Sequence, residues 1–288
     1  MSPRLLYFAP GSGLGHLTRA VALCLELREL GVEAEIATNS PFAQAVSRLA
    51  RLRVTRLLTH AWALDAPRLL AERAPRVAVA ATFPQGFRGE WRTRPGTPMV
   101  HVARRLRLES YDAAPDAWRG FALTLAIEPL APAHDARLCG SLVRLPGWVR
   151  LGPGRIETPA PEPLERALDE GVSLVVHSGP AEEVERLIAC AGGGGLAAIT
   201  TAREASVPAY DYFPAANLYS RARHIFTGAG YNSIADTRDA RARHTALAFD
   251  RRFDDQQGRL SALNGGSGAD ATRAAAEAMA SVARGVAG

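Results

Sequence analysis

The segment GSGLGHLTRA (residues 11–20) joins the apolar run Leu5–Ala9 to a leucine-rich helical pattern, and places three glycines and a histidine at that join. A glycine turn between strand and helix lets backbone approach a bulky or anionic ligand closely, and the helix start offers N–H groups to it. The loop residues are Gly11, Ser12, Gly13, Leu14 and Gly15. The positive field at a helix start disfavours imidazolium, so His16 is expected to be a neutral proton acceptor. The plainer reading is a helix-start histidine bonded to nearby backbone. The spacing is not that of the dinucleotide fingerprint, and Glu33 and Glu35 lie inside the second strand rather than at its end, where a ribose-binding carboxylate belongs.

A second strand, glycine turn and helix occur in FTGAGYNSIAD (226–236), where Asn232 and Ser233 can cap the helix or bind a ligand. Downstream, FDRRFDDQQGRL (249–260) puts Asp254, Asp255, Gln256 and Gln257 at another helix start. Asp254 with Gln257 reads structurally as a capping box. Functionally, side chains at such a position are where open α/β sheets hold ligands.

These loops need elements to carry them. Short β-type runs alternate with helical patterns from end to end, the pattern of a parallel α/β protein. The spacing predicts strands at 4–9, 33–38, 54–58, 76–81, 98–103 and 121–127, then 172–177, 196–200, 224–227 and 245–249. Leu17, Ala20, Val21, Cys24 and Leu27 line one helical face, which Gly31 closes. Further helices are expected near 181–190, from about 231, from about 255 and over 270–284. Proline and glycine crowd 144–163 without periodicity, so the expected organisation is an N-terminal domain (1–147), a linker (148–164) and a C-terminal domain (165–288).

The 288 residues suffice for two cores, and 47% hydrophobic with 22% charged residues is a globular composition. Although the net charge is +5, all 34 basic residues are arginine and they are scattered, which argues against nucleic acid as a partner. Cys24, Cys139 and Cys190 stand far apart without metal-type spacing, and no run reaches a membrane span of about 20 apolar residues. A reduced, cytoplasmic protein is the expectation.

In order and spacing these motifs resemble the GT-B glycosyltransferases, specifically the branch related to the peptidoglycan N-acetylglucosaminyltransferase. The likeness rests on GSGLGHLTRA, on YFPAANLYSRARHIFTGAGYNSIADT (212–237) and on FDDQ (253–256). TFPQGFRGEW (82–91) and VHVARRLR (100–107) are similar to the bacterial "predicted glycosyltransferase" subgroup. The resemblance implies two Rossmann-like domains facing across a cleft, acceptor on the N-terminal side and nucleotide-sugar, UDP- or dTDP-linked, on the C-terminal side. It assigns the donor diphosphate to Gly228, Ala229, Gly230, Asn232 and Ser233, with Ser178 and Gly179 as a second phosphate turn. It assigns the ribose to Asp236, where relatives carry glutamate, the base pocket to Phe213, and the sugar to Asp255, Gln256 and Gln257. His16 matches the histidine at the reaction centre.

No cofactor is implied, the nucleotide-sugar being a substrate. Asp254 and Asp255 lack Asp-x-Asp spacing, so a metal-independent reaction is expected, with Arg19, Arg104 or Arg221 helping the leaving group. The expected function is sugar transfer with His16 as general base. The alternatives are nucleotide-sugar hydrolysis through water activated by His16, and noncatalytic sugar-nucleotide binding. Other histidines read as structural, with His177, beside the second phosphate turn, a lesser candidate.

Overall fold

The computed structural model describes residues 5–11, 13–111, 113–202, 204–263 and 269–285, so Ser12 lies outside the described residues. In chain order the elements begin with β1 (Leu5–Ala9), α1 (Gly15–Glu29), β2 (Ala34–Thr38), α2 (Ala43–Ala50), β3 (Arg53–Arg56) and α3 (Trp62–Arg73). Next come β4 (Val77–Ala81), β5 (Met99–Ala103), β6 (Leu123–Ala126), α4 (Pro132–Asp135), β7 (Leu142–Arg144), β8 (Gly147–Trp148), α5 (Glu162–Asp169) and β9 (Ser173–Val176). The rest are α6 (Ala181–Ala191), β10 (Leu196–Ile199), β11 (Ala209–Tyr210), β12 (Ile225–Gly228), α7 (Tyr231–Asp236), β13 (His244–Leu247), α8 (Gln256–Ala262), β14 (Ala269–Asp270) and α9 (Thr272–Arg284).

The chain forms two compact units. The first holds the described residues up to Arg150 together with Arg252–Asp255 and 269–285. Its parallel sheet runs β3-β2-β1-β4-β5-β6-β7 among the described residues. Strands β1, β4 and β5 are buried at every position, which is why they read as unbroken apolar runs: helices cover both faces. Helix α1 carries no capping side chain, its N-cap residue being Leu14, so packing holds it. Leu17, Val21 and Leu27 are fully buried, each stabilising the helix by roughly 2 kcal/mol. It stops at Gly31, whose φ of +73° only glycine adopts cheaply, with Gly31 N–H on Arg28 O and Val32 N–H on Leu27 O.

The second unit comprises Leu151–Arg251 and the segment from Gln256 to residue 263. Its sheet is parallel in the order β11-β10-β9-β12-β13. Leu174, Ala197, Ile199, Leu218 and Ile225 form one core layer, and Val175, Val184, Leu187, Ala198 and Phe249 the other.

Three expectations need correction. The last helix does not belong with 165–288: α9 packs on α1, buries Ala275, Ala276, Met279 and Ala280, and pairs Arg273 with Glu26 at 3.4 Å. The supposed linker 148–164 is packed rather than loose, since Trp148, Val149, Leu151 and Ile156 are buried, and α5 begins within it. The capping box expected from Asp254 and Gln257 is out of register: α8 starts at Gln256, so Asp254 stands one residue before the capping position and makes a bridge to Leu106.

Candidate functional site

The large sheet of each unit has one place where consecutive strands diverge to opposite sides. Ligands of open α/β sheets bind outside the carboxyl ends of the strands that flank it. In the first unit that place lies between β1 and β4, and in the second between β9 and β12. Both glycine turns singled out in the sequence follow one of these strands.

In the first unit, β1 runs into Gly11, whose N–H donates to Asn39 Oδ1 at 2.6 Å, and then to His16, the second residue of α1. A Cβ on Gly11 would stand 3.2 Å from the His16 ring, whereas one on Gly13 or Gly15 would meet nothing within 4 Å. His16 is half-buried, lies parallel to Phe83 (6.2 Å between centroids), and has a buried Nδ1 without a hydrogen-bond partner. Burial pushes its pKa well below the ordinary value, the charges of Arg19 and Arg104 push it further, and Asp254 opposes them. The ring is therefore neutral.

Buried Arg19 donates to Thr82 Oγ1 at 3.4 Å, just past β4. Thr82 has φ +72°, a strained conformation for a β-branched residue, and is held there by its N–H on Val102 O (2.9 Å) and by its carbonyl against His101 Nε2 (3.2 Å). The segment 252–255 completes this region. Arg107 N–H donates to Phe253 O, Phe253 packs edge-on to Phe83, Arg104 pairs with Asp254 at 2.5 Å, and Arg105 pairs with Asp255 at 2.6 Å. Ion pairs between residues 150 apart carry no local sequence signal, so spacing alone does not bring Asp254 beside His16. Phe83 and Trp91 are buried packing residues, and Glu90 is engaged by Trp62 Nε1 and by the N–H groups of Phe87 and Arg88.

In the second unit, Val176 and Thr227 are register partners, so the next residues, His177 and Gly228, stand side by side where the strands end. His177 Nε2 lies 2.6 Å from Glu183 Oε2, Arg251 binds both oxygens of that carboxylate, and Phe249 packs on the ring at 5.0 Å. Ser178 is exposed and Gly179 part-buried in the turn after β9. Gly230, Asn232, Ser233 and Asp236 follow β12 through α7, all part-buried, and Phe213 is part-buried before Pro214.

Three expected donor contacts are otherwise employed. Ala229 is fully buried, its N–H spent on Leu247 O and its carbonyl on Arg259. Gln256 is buried with Oε1 accepting the Phe249 N–H at 3.0 Å. Asp255 belongs to the first unit and is paired there with Arg105, while Gln257 begins α8 with Gln256 in the second. Arg221 is held by Glu165 and Asp169 on the surface. His244 bridges Thr227 and Thr237, a structural role. Among the described residues no three His, Cys, Asp or Glu side chains are grouped to hold a metal ion, and no helix is long and apolar enough to cross a membrane.

No protein-family model and no curated protein matches the chain. Solved structures do. The S. aureus protein MnaA with UDP matches with a TM-score of 0.60 at 11% identity, over 98% of this chain and 90% of that one. A glycosyltransferase of Streptomyces sp. SF2575 complexed with thymidine diphosphate matches at 0.53 and 12%, over 98% and 96%. The spinosyn forosaminyltransferase matches at 0.53 and 16%, over 99% and 95%. The fold is that of the GT-B glycosyltransferases. At these identities the likeness to GT-B proteins is one of fold, and it spans the chain.

Proposed function

We propose that the chain is a glycosyltransferase that moves a sugar from a UDP- or dTDP-sugar to a hydroxyl acceptor without a metal ion. Within the GT-B proteins we assign it to the branch related to the peptidoglycan N-acetylglucosaminyltransferase and the bacterial subgroup named above. One observation carries the reading: in each sheet, a glycine turn and a histidine fall where the strand order diverges. UDP and thymidine diphosphate in two fold neighbours support the donor class.

On this reading the second unit takes the donor through Ser178, Gly179, Phe213, Gly228, Gly230, Asn232, Ser233, Asp236 and Gln257. The first unit supplies His16. As the acceptor oxygen bonds to the anomeric carbon, the bond from that carbon to the diphosphate breaks, its electron pair leaves on the phosphate oxygen, and His16 takes the hydroxyl proton. The open space beside Gly13 and Gly15 leaves room for an acceptor against the loop. Cys24, Cys139 and Cys190 are free, in keeping with a reducing cytoplasm.

The test is incubation with a panel of nucleotide-sugars, with and without pooled hydroxyl acceptors, alongside thermal shifts with UDP, dTDP, GDP and CMP. Stabilisation by UDP or dTDP and acceptor-dependent donor consumption are expected. Release of free sugar at full rate without acceptor would make the protein a hydrolase, binding without turnover a noncatalytic binder, and neither binding nor consumption would sink the proposal.

A further inference from the structure

The imidazole of His177 occupies the second unit's divergence point, yet the reaction outlined above gives it nothing to do. Its setting is built in detail. A Cβ on Gly228 would stand 2.9 Å from His177 Cε1 and 3.0 Å from Nδ1, and a Cβ on Gly179 would stand 2.3 Å from Nε2 and 2.8 Å from Glu183 Oε2. Both turn glycines are thus required by this one ring: any other residue at either position would displace it. The residues that converge on it come from the ends of three adjacent strands. His177 and Gly179 follow β9, Gly228 ends β12, and Phe249 and Arg251 follow β13.

The charges around the ring define which nitrogen titrates. Burial would raise the Glu183 pKa, but hydrogen bonds from Arg251 and from His177 outweigh it and hold the carboxyl below its ordinary value. An ionised Glu183 at 2.6 Å places the ring hydrogen on Nε2, leaving Nδ1, on the Gly228 side, as the basic atom. Burial lowers the His177 pKa, with Glu183 opposing and Arg251 adding to the effect, so the ring is neutral before a ligand arrives. Among the described residues Glu183 from α6 and Arg251 from the stretch after β13 are the charged groups that face it. Their charges offset each other, so an incoming anion decides the protonation state.

Resting on the reading that this unit holds a nucleoside diphosphate, we infer that His177 is a diphosphate-binding residue that takes a proton from solvent as the ligand binds. The resulting imidazolium donates Nδ1–H to a phosphate oxygen and Nε2–H to Glu183. Arg251, which grips both Glu183 oxygens, is a positioning residue that fixes the carboxylate behind the ring. When the diphosphate product departs, the proton returns to solvent.

Calorimetric titration of the full chain with UDP and with dTDP at about pH 7.5, in two buffers of different ionisation enthalpy, reads the proton count directly. Wild type is expected to take up more protons per diphosphate than His177→Gln, by a difference approaching about one. His177→Gln, which retains an N–H for Glu183, should bind about tenfold more weakly, the scale of a lost charge-assisted hydrogen bond. Glu183→Gln keeps the hydrogen-bond acceptor while removing the charge, and should lower proton uptake at the same pH with an unchanged fold by circular dichroism. Equal uptake in wild type and both variants, or unchanged affinity in His177→Gln, would make the ring a clamp between β9 and α6 and overturn the inference while leaving the donor reading intact. Failure of wild type to bind either diphosphate would overturn the donor reading itself, and this inference with it.

Discussion

His16 and His177 sit at matching places in two sheets of the same plan, yet their electrical surroundings are opposite. Two guanidinium groups, Arg19 and Arg104, bias His16 toward neutrality, and its buried Nδ1 has no carboxylate bonded to it. His177 is tied to Glu183 at 2.6 Å and carries its own counter-charge. A ring of the first kind is suited to receive a proton briefly, during a step that also brings negative charge nearby. The second kind can keep one while an anion is bound. Position in a fold therefore does not assign a histidine its job; the neighbouring charges do.

The largest expected effect that would break this contrast is on turnover. His16→Ala should lower kcat by about a hundredfold or more, the usual contribution of a general base, while UDP or dTDP still stabilises the protein in a thermal melt. Unchanged kcat would hand the base role to another residue.

Next comes the charge arrangement itself. Asp254→Asn leaves Arg104 buried without its carboxylate and removes the negative charge that opposes the two guanidiniums at His16. Urea unfolding should show a loss of about 3 kcal/mol. A loss below about 1 kcal/mol would mean that the pair behaves as a solvated surface pair, and the contrast in environment would weaken.

Histidines outside both sites provide the reference. Burial pushes His101 down to about 3 and His134 down to about 4. Both rings stay neutral in the folded protein but bind protons near pH 6.5 when unfolded, so the stability held above that pH is lost as the pH falls toward the folded values. Between pH 7 and pH 5 each should cost about 2 kcal/mol, and His134→Phe should remove its share of that slope in urea midpoints measured at the two pH values.

The smallest effect sharpens the comparison of the turns. Gly15→Ala places a methyl group in open space at the first position of α1, so stability should rise by up to about 1 kcal/mol while turnover falls if an acceptor uses that room. Gly228→Ala should instead lower stability in the second unit and weaken diphosphate binding, because the new methyl group pushes on the His177 ring.

What could be read from the sequence divides along physical lines. Strands such as β1, β4 and β5 announce themselves because burial on both faces demands apolar runs. The two- and three-residue strands β7, β8, β11 and β14 are too short to show a period. Amphipathicity shows that α9 buries a face but does not name its partner, so the sequence pattern does not reveal that the helix belongs with the first unit. The glycine turns and His16 were legible as local chemistry. The Arg104–Asp254 pair and the roles of Ala229 and Gln256 were not, because they depend on contacts made only after the chain returns.

That return has a consequence during synthesis. Because α9 packs against α1, the first unit lacks the helix that covers this side of α1 until a ribosome has reached residue 284. The later unit, with its own five strands already emerged, has what it needs to collapse first. Order of translation and order of completion of the two units are thereby inverted, and a premature stop ahead of residue 272 would release a nascent chain in which the earlier-made unit is the unfinished one.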